Sequence, residues 1–232
     1  MKTKRNANER GVTQFERLDS RHSFSFGGYY DPDHVKFGHL RVMNDDRIGP
    51  GGTFPPHPHT DMEIFSYVPE GLIEHKDNLG NSSHVGKNRV QLMTAGRGIV
   101  HSEGNPSDTD PTHLYQIWIT PEKRGLTPDY QELDIDESAR ENTWALLASP
   151  DGRNGSMTIR QQAEIRNAHL VSGKSLDLPV GTSQKGWLQV VSGSVASDNH
   201  VLKTGDGLAI ENENSSQIQA LEDADLLFFT ME

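Results

Sequence analysis

The sequence predicts an all-β protein built from two similar halves. Three observations carry that reading. Apolar residues rarely recur at the i, i+3, i+4 spacing of an amphipathic helix, whereas short runs of β-branched and aromatic residues are common. The 22 glycines and 12 prolines are spread along all 232 residues, as many short strands joined by turns require. The pattern of the first half then recurs in the second.

In chain order, residues 63–68 (Glu-Ile-Phe-Ser-Tyr-Val) read as a strand that ends at Pro69-Glu70-Gly71. Residues 72–77 follow at once, so the two runs read as a hairpin. Residues 90–93 form another strand, closed by Gly96 and Gly98, and residues 113–119 alternate over their whole length. Residues 120–142 break the pattern. Pro121, Gly125 and Pro128 precede a charged stretch, 131–142, with room for a short helix, and this reads as the connection between domains 1–127 and 128–232. In the second half, 187–191 runs into the turn Ser192-Gly193 and on to 194–196. Residues 201–210 surround Gly205-Asp206-Gly207, and 225–231 form the last strand.

Composition excludes several functions. With no cysteine there are no disulfides, thiolate metal sites or cysteine nucleophiles, so a metal must be held by nitrogen and oxygen. A formal charge of −11 argues against a direct nucleic-acid surface. The basic start (Lys2, Lys4, Arg5, Arg10) is not followed by an apolar run. It reads as a solvated, partly mobile end, with no signal peptide or membrane span, and the expected location is the cytoplasm. A monomer is expected.

The chemistry is concentrated in two pairs, His57 with His59 and His101 with Glu103, each spaced i, i+2. On a strand that spacing puts both side chains on one face. Two such strands would bring three imidazoles and a carboxylate together, a ligand set for one divalent transition metal. Iron(II) is the expected ion, and nickel, copper, manganese, cobalt and zinc also fit. An octahedral ion would keep two adjacent positions open for a chelating ligand, or for substrate and oxygen. Glu103 can act as ligand and as general base. Glu63, four residues after His59, is the rival carboxylate, read as an acid that orients a ligand imidazole. His22 and His39 read as packing or hydrogen-bonding residues. His75, His84, His169 and His200 read as surface or loop residues, and His113 as a strand residue near the barrel mouth. Phe24, Phe26, Tyr29 and Tyr30 read as packing between loops and barrel, with a platform for a flat ligand as the alternative. Nine of the eleven histidines lie in residues 1–113. Aligning 98–103 with 207–212 sets Ile210 against His101 and Asn212 against Glu103, so the metal chemistry is assigned to the first half.

Several segments resemble the pirin branch of the cupin superfamily. They are Arg21-His22-Ser23-Phe24-Ser25-Phe26-Gly27, Tyr29-Tyr30-Asp31-Pro32, His57-Pro58-His59 with Met62-Glu63-Ile64, Ala95-Gly96-Arg97-Gly98, His101-Ser102-Glu103 and Leu114-Tyr115-Gln116-Ile117-Trp118. Gly51 before His57, and Gly98-x-x-His101-x-x-x-Asn105, follow the broader cupin pattern, although Gly96 stands where many cupins have proline. The resemblance implies a bicupin, two jelly-roll barrels face to face with a few short helices, and one metal in the first. It implies that the H-S-E glutamate, Glu103, is the carboxylate ligand. Bacterial members are similar to quercetin 2,3-dioxygenases, which open a flavonol ring with oxygen and release carbon monoxide. Animal relatives look like iron-dependent regulators, so a metal-binding protein acting through protein partners is the alternative. A cupin enzyme on another enol-type chelating substrate is a third reading.

Overall fold

The computed structural model describes residues 1–213 and 216–232, and it is built almost wholly of strands. It divides into two compact units. No described helix is long and apolar enough to cross a membrane.

The first unit comprises Gly11–Asp134 with Ile159–Gln161. Its larger sheet has the spatial order Asp129–Asp134, Arg89–Thr94, Glu63–Glu70, Thr112–Ile119, Leu40–Ile48, Leu18–His22, Gly11–Phe15. The smaller sheet runs Thr53–His59, Ile99–Gly104, Leu72–Asp77, Ser82–Gly86. Ile48, Val68 and Leu114 of the first pack on Ile73 and Val85 of the second. Each such burial is worth roughly 1.5–3 kcal/mol relative to exposure.

The second unit comprises Met1–Arg10, Ile135–Thr158 and Gln162–Glu232. Its larger sheet runs Lys2–Arg5, Gly207–Glu211, Lys185–Ser192, Ala224–Met231, Ala163–Leu170, Ala145–Ser149, Met157–Thr158. The smaller runs Ser175–Asp177, Gln217–Ala220, Ser194–Ser197, His200–Lys203. Both units are thus jelly rolls on one strand plan.

Four expectations need correction. Residues 63–70 and 72–77 do not form a hairpin: they lie in different sheets, and the chain turns a corner between them at Gly71. Gly71 has φ +79°, and a Cβ there would stand 2.7 Å from Thr112 Oγ1. Gly193 makes the same corner in the second unit, also at φ +79°. A sequence that reads strand, turn, strand cannot tell a hairpin from such a corner, because both need glycine in the left-handed region.

The boundary at 127/128 falls instead at 134/135. Asp129–Asp134 pairs residue by residue with Arg89–Thr94, so six residues of the expected connection form an edge strand of the first unit. The helical feature described there is a single 3₁₀ turn, Ser138–Arg140.

The N-terminus is not a solvated end. Lys2–Arg5 pairs with Gly207–Glu211 in the second unit, where Lys2 meets Asp198 at 2.5 Å and Lys4 meets Asp206 at 2.8 Å. The basic run has acidic partners about two hundred residues away.

The match of 98–103 with 207–212 also fails. Gly207–Glu211 occupies the place of Arg89–Thr94, and Ile99–Gly104 corresponds to Gln217–Ala220. His75, four residues after one corner glycine, pairs with Glu103, and Val195, two residues after the other, pairs with Ala220. Antiparallel counting then puts Ile218 in the place of Glu103 and Ser216 in that of His101.

Candidate metal centre

Thr53–His59 holds Pro55, Pro56 and Pro58, none of which can donate to a ladder. Such a strand belongs at an edge, and among the described residues it is one, paired with Ile99–Gly104. The pairing sets His57 opposite His101 and His59 opposite Ile99, with an irregularity between His101 and Glu103. The three imidazole centroids lie 4.5–4.9 Å apart. One ligand nitrogen from each falls within 4.8 Å of the others.

Hydrogen bonds decide which nitrogens face inward. His57 Nδ1 lies 2.8 Å from the Pro55 carbonyl, which only accepts, so the ring proton sits on Nδ1 and the lone pair on Nε2. His57 Nε2 and His101 Nε2 are 3.1 Å apart. His59 Nε2 is buried without a hydrogen-bond partner among the described residues. Burial holds His59 down to about 4, with His57 adding repulsion. Burial holds His101 down to about 3, helped by His57, His59 and His75. His59 and His101 are therefore neutral with free lone pairs at pH 7, and the bond to Pro55 turns His57 Nε2 inward. Nitrogens bonded to one ion at about 2.1 Å and at right angles lie about 3 Å apart, so the residues present fit a divalent metal.

Glu103 is buried, and both its oxygens are taken by amides. Gln91 Nε2 donates to Oε1 at 3.0 Å and Gln116 Nε2 to Oε2 at 2.7 Å. Burial pushes its carboxyl up to about 7, with Asp46 adding to the rise and the two amides opposing it. A Glu103 oxygen groups with His75 and His101, not with His57 and His59.

Glu63 belongs to neither group. Its Oε2 accepts from Thr94 Oγ1 at 2.9 Å and from the Arg160 N–H at 3.2 Å, and it orients no imidazole among the described residues. Strand parity from His59 fails because the chain leaves one sheet and enters the other between them, with Asp61 at φ 50°.

Beside the histidines lies a cavity of about 420 Å³. Phe26, Phe54, Leu18 and Trp118 give it apolar walls, and Ser20, His22, Asn44, Asp46 and Gln116 line a polar side. Trp118 stands edge-on to His59 and Phe26, and its Nε1 donates to Gln116 Oε1 at 3.1 Å. That bond aims the Gln116 amide at Glu103. His22 is a hydrogen-bonding residue, joined to Asn44 at 2.7 Å and Thr13 at 2.8 Å. Of the aromatics expected to pack, Phe24 is buried, Phe26 faces the cavity and Tyr30 is exposed. His113 is buried and bonded to Asp45 at 2.7 Å, outside both groups.

His75 overturns its reading as a surface residue. It is fully buried, its Nδ1 is 3.4 Å from His101 Nδ1, and its ring stacks on Tyr130 at 4.5 Å. Its position opposite Glu103 was hidden by the hairpin reading. Tyr130 was hidden by the reading of 120–142 as a connection.

Fold and site together define a bicupin whose first barrel carries a histidine cluster at the edge of a cavity. The pirin family model matches residues 4–119, and a model for the quercetinase C-terminal cupin domain matches 146–231. The chain belongs to the pirin family. A quercetin 2,3-dioxygenase of Escherichia coli K12 is 44% identical over 98% of this chain and 97% of its own. A putative quercetin 2,3-dioxygenase of Pasteurella multocida is 38% identical over 98% of each. The crystal structure of the E. coli bacterial pirin YhhW in complex with nickel(II) superposes with a TM-score of 0.95 at 43% identity, covering 100% of this chain and 99% of that one. Family and side-chain cluster together indicate a divalent metal.

Proposed function

We propose that the protein is a metal-dependent dioxygenase that opens the ring of flavonols such as quercetin with O2 and releases carbon monoxide. The observation that carries this is the convergence of three imidazoles, their ligand nitrogens within 4.8 Å of one another, on the edge of a cavity with aromatic walls and one polar side. A flavonol is flat and apolar, with hydroxyls at its margins and a chelating pair in its 3-hydroxyl and 4-carbonyl oxygens. The names of the E. coli and Pasteurella relatives support the same substrate class.

His57, His59 and His101 hold the ion. Glu103 supplies the carboxylate in preference to Glu63, because its oxygen groups with His101 and that of Glu63 does not. When bound, the ion supplies Lewis acidity to the substrate's enol oxygen and a path for electrons toward O2. The chain's own residues do the rest. Glu103, pushed up to about 7, is matched to accept the 3-hydroxyl proton near neutral pH. Gln91 and Gln116 hold its oxygens until then, and Trp118, Phe26 and Phe54 exclude water from the apolar side. Iron(II) and nickel(II) are the ions to compare first.

The test is metal analysis of protein purified without added metal, followed by reaction with quercetin and O2. Turnover should release one carbon monoxide per quercetin consumed and vanish in His101→Ala together with the bound metal. Turnover by the loaded wild type no faster than by free metal ion would overturn the reading.

A further inference from the structure

His101 has two ring nitrogens, and only one can face the ion. Its Nε2 points at His57 Nε2 and its Nδ1 at His75 Nδ1, 3.4 Å away. On the far side of His75, Nε2 lies 3.1 Å from Asp77 Oδ2. The Asp77 carboxylate only accepts, so a His75 proton sits on Nε2 and its Nδ1 is left to accept. His101 must then donate from Nδ1, which leaves its Nε2 lone pair for the cluster.

We infer that Asp77 and His75 form a two-step relay that sets the tautomer of His101 and aims its Nε2 at the metal position. His75 is a positioning residue, acting through His101. The inference rests on the reading of His57, His59 and His101 as metal ligands.

The surroundings of His75 suit this role. Tyr130 stacks flat on the ring, with an interplanar angle of 21°, and fixes its plane. Asp77 is itself clamped. Its Oδ1 accepts the Leu79 and Asn81 N–H groups at 2.9 and 3.0 Å, and its Oδ2 accepts the Asn81 amide at 2.8 Å. The strand order supplies the reach, since Ile99–Gly104 lies between the strand of His57 and the strand of His75 and Asp77. His101 sits opposite His57 on one side and Asp77 on the other. Partners one step removed from an ion fix ring orientation in this way, and their loss typically lowers metal affinity about 10–100-fold.

The full-length protein, stripped of metal and carrying 15N-labelled histidine, reports the tautomer directly through long-range 15N–1H correlations. In the wild type, His101 should carry its proton on Nδ1 and His75 on Nε2. A His101 protonated on Nε2 would overturn the relay without any variant. Nickel(II) affinity, measured against a competing chelator, adds a second readout. His75→Phe keeps the bulk and the stack but offers no acceptor; it should lose about 10-fold or more in affinity and let His101 populate both tautomers. His75→Gln can accept at one end and donate at the other, and should restore most of the loss. Equal loss in both variants, or loss in neither, would also overturn the relay. Failure of the wild type to bind nickel(II) would count against the ligand assignment itself, whatever the tautomer of His101.

Discussion

The two barrels share a strand plan and differ in what fills them. In the first, Ser66 pairs with Gln91 on one side and Gln116 on the other, and those amides hold Glu103. In the second, the same rung is Leu188, paired with Leu208 and Phe228, and Ile218 stands in the place of Glu103. Asp46, opposite Leu114, is matched by Ala168, opposite Leu226. One jelly roll thus carries a connected polar layer through its interior, and its counterpart carries aliphatic and aromatic packing. The layer is tolerable because its members satisfy one another. The comparison teaches that one scaffold accepts either interior, provided the whole layer changes together.

The largest test of that contrast is a matched pair. His101→Ala should lower nickel(II) affinity by more than about 100-fold, beyond what loss of an outer partner costs. Ser216→Ala, its counterpart, should leave affinity unchanged in the same calorimetric titration. Equal effects would erase the distinction between the barrels.

Next comes transplantation of a single polar residue. Leu208→Gln puts an amide where Leu188 and Phe228 offer no partner, and should cost about 3–5 kcal/mol from lost packing and an unmet hydrogen-bonding group. The reverse change, Gln91→Leu, removes a donor to Glu103 and an acceptor for Tyr130, and should cost about 1–3 kcal/mol. Denaturant midpoints give both. A neutral Leu208→Gln would show that the second interior is less tightly specified than its packing implies.

A smaller contrast is pH dependence. Burial pushes Asp46 up to about 7, with Asp45 adding and the Ser20 hydroxyl opposing. The folded carboxyl therefore holds its proton more tightly than the unfolded one, near 3.9. Its contribution to stability is full below about pH 4 and is lost as pH rises toward 7, by up to about 4 kcal/mol. Asp46→Asn should flatten this slope, so that the variant gains on the wild type at pH 8 relative to pH 5. Parallel stability curves would refute the assignment.

The smallest effect is expected where the barrels are alike. His84 and His200 lie on matching strands of the two smaller sheets, and neither belongs to a ligand group. Replacing either with alanine should change stability by less than about 0.5 kcal/mol and leave nickel(II) affinity untouched.

The two i, i+2 pairs were legible because strand periodicity is local. The same logic misled at Glu63, where the chain changes sheets and parity does not carry across. His75 could not be seen, since its neighbour His101 is reached through a strand pairing that the apparent hairpin excluded. The all-β class and the likeness of the two halves followed from glycine, proline and β-branched spacing, and the two barrels from the family resemblance. The fate of residues 1–10 depended on acidic partners at Asp198 and Asp206, which no local pattern reveals.

The edge strand Asp129–Asp134 has a consequence for anyone dividing the chain. A fragment ending at residue 127 would keep every ligand assigned to the metal. It would also lose the ring on which His75 rests and the hydroxyl that Tyr130 gives to Gln91 at 2.9 Å. The fragment would expose the backbone of Arg89–Thr94 as an open edge, an invitation to pair with another copy. A piece that keeps the supports of His75 and Gln91 therefore extends through residue 134.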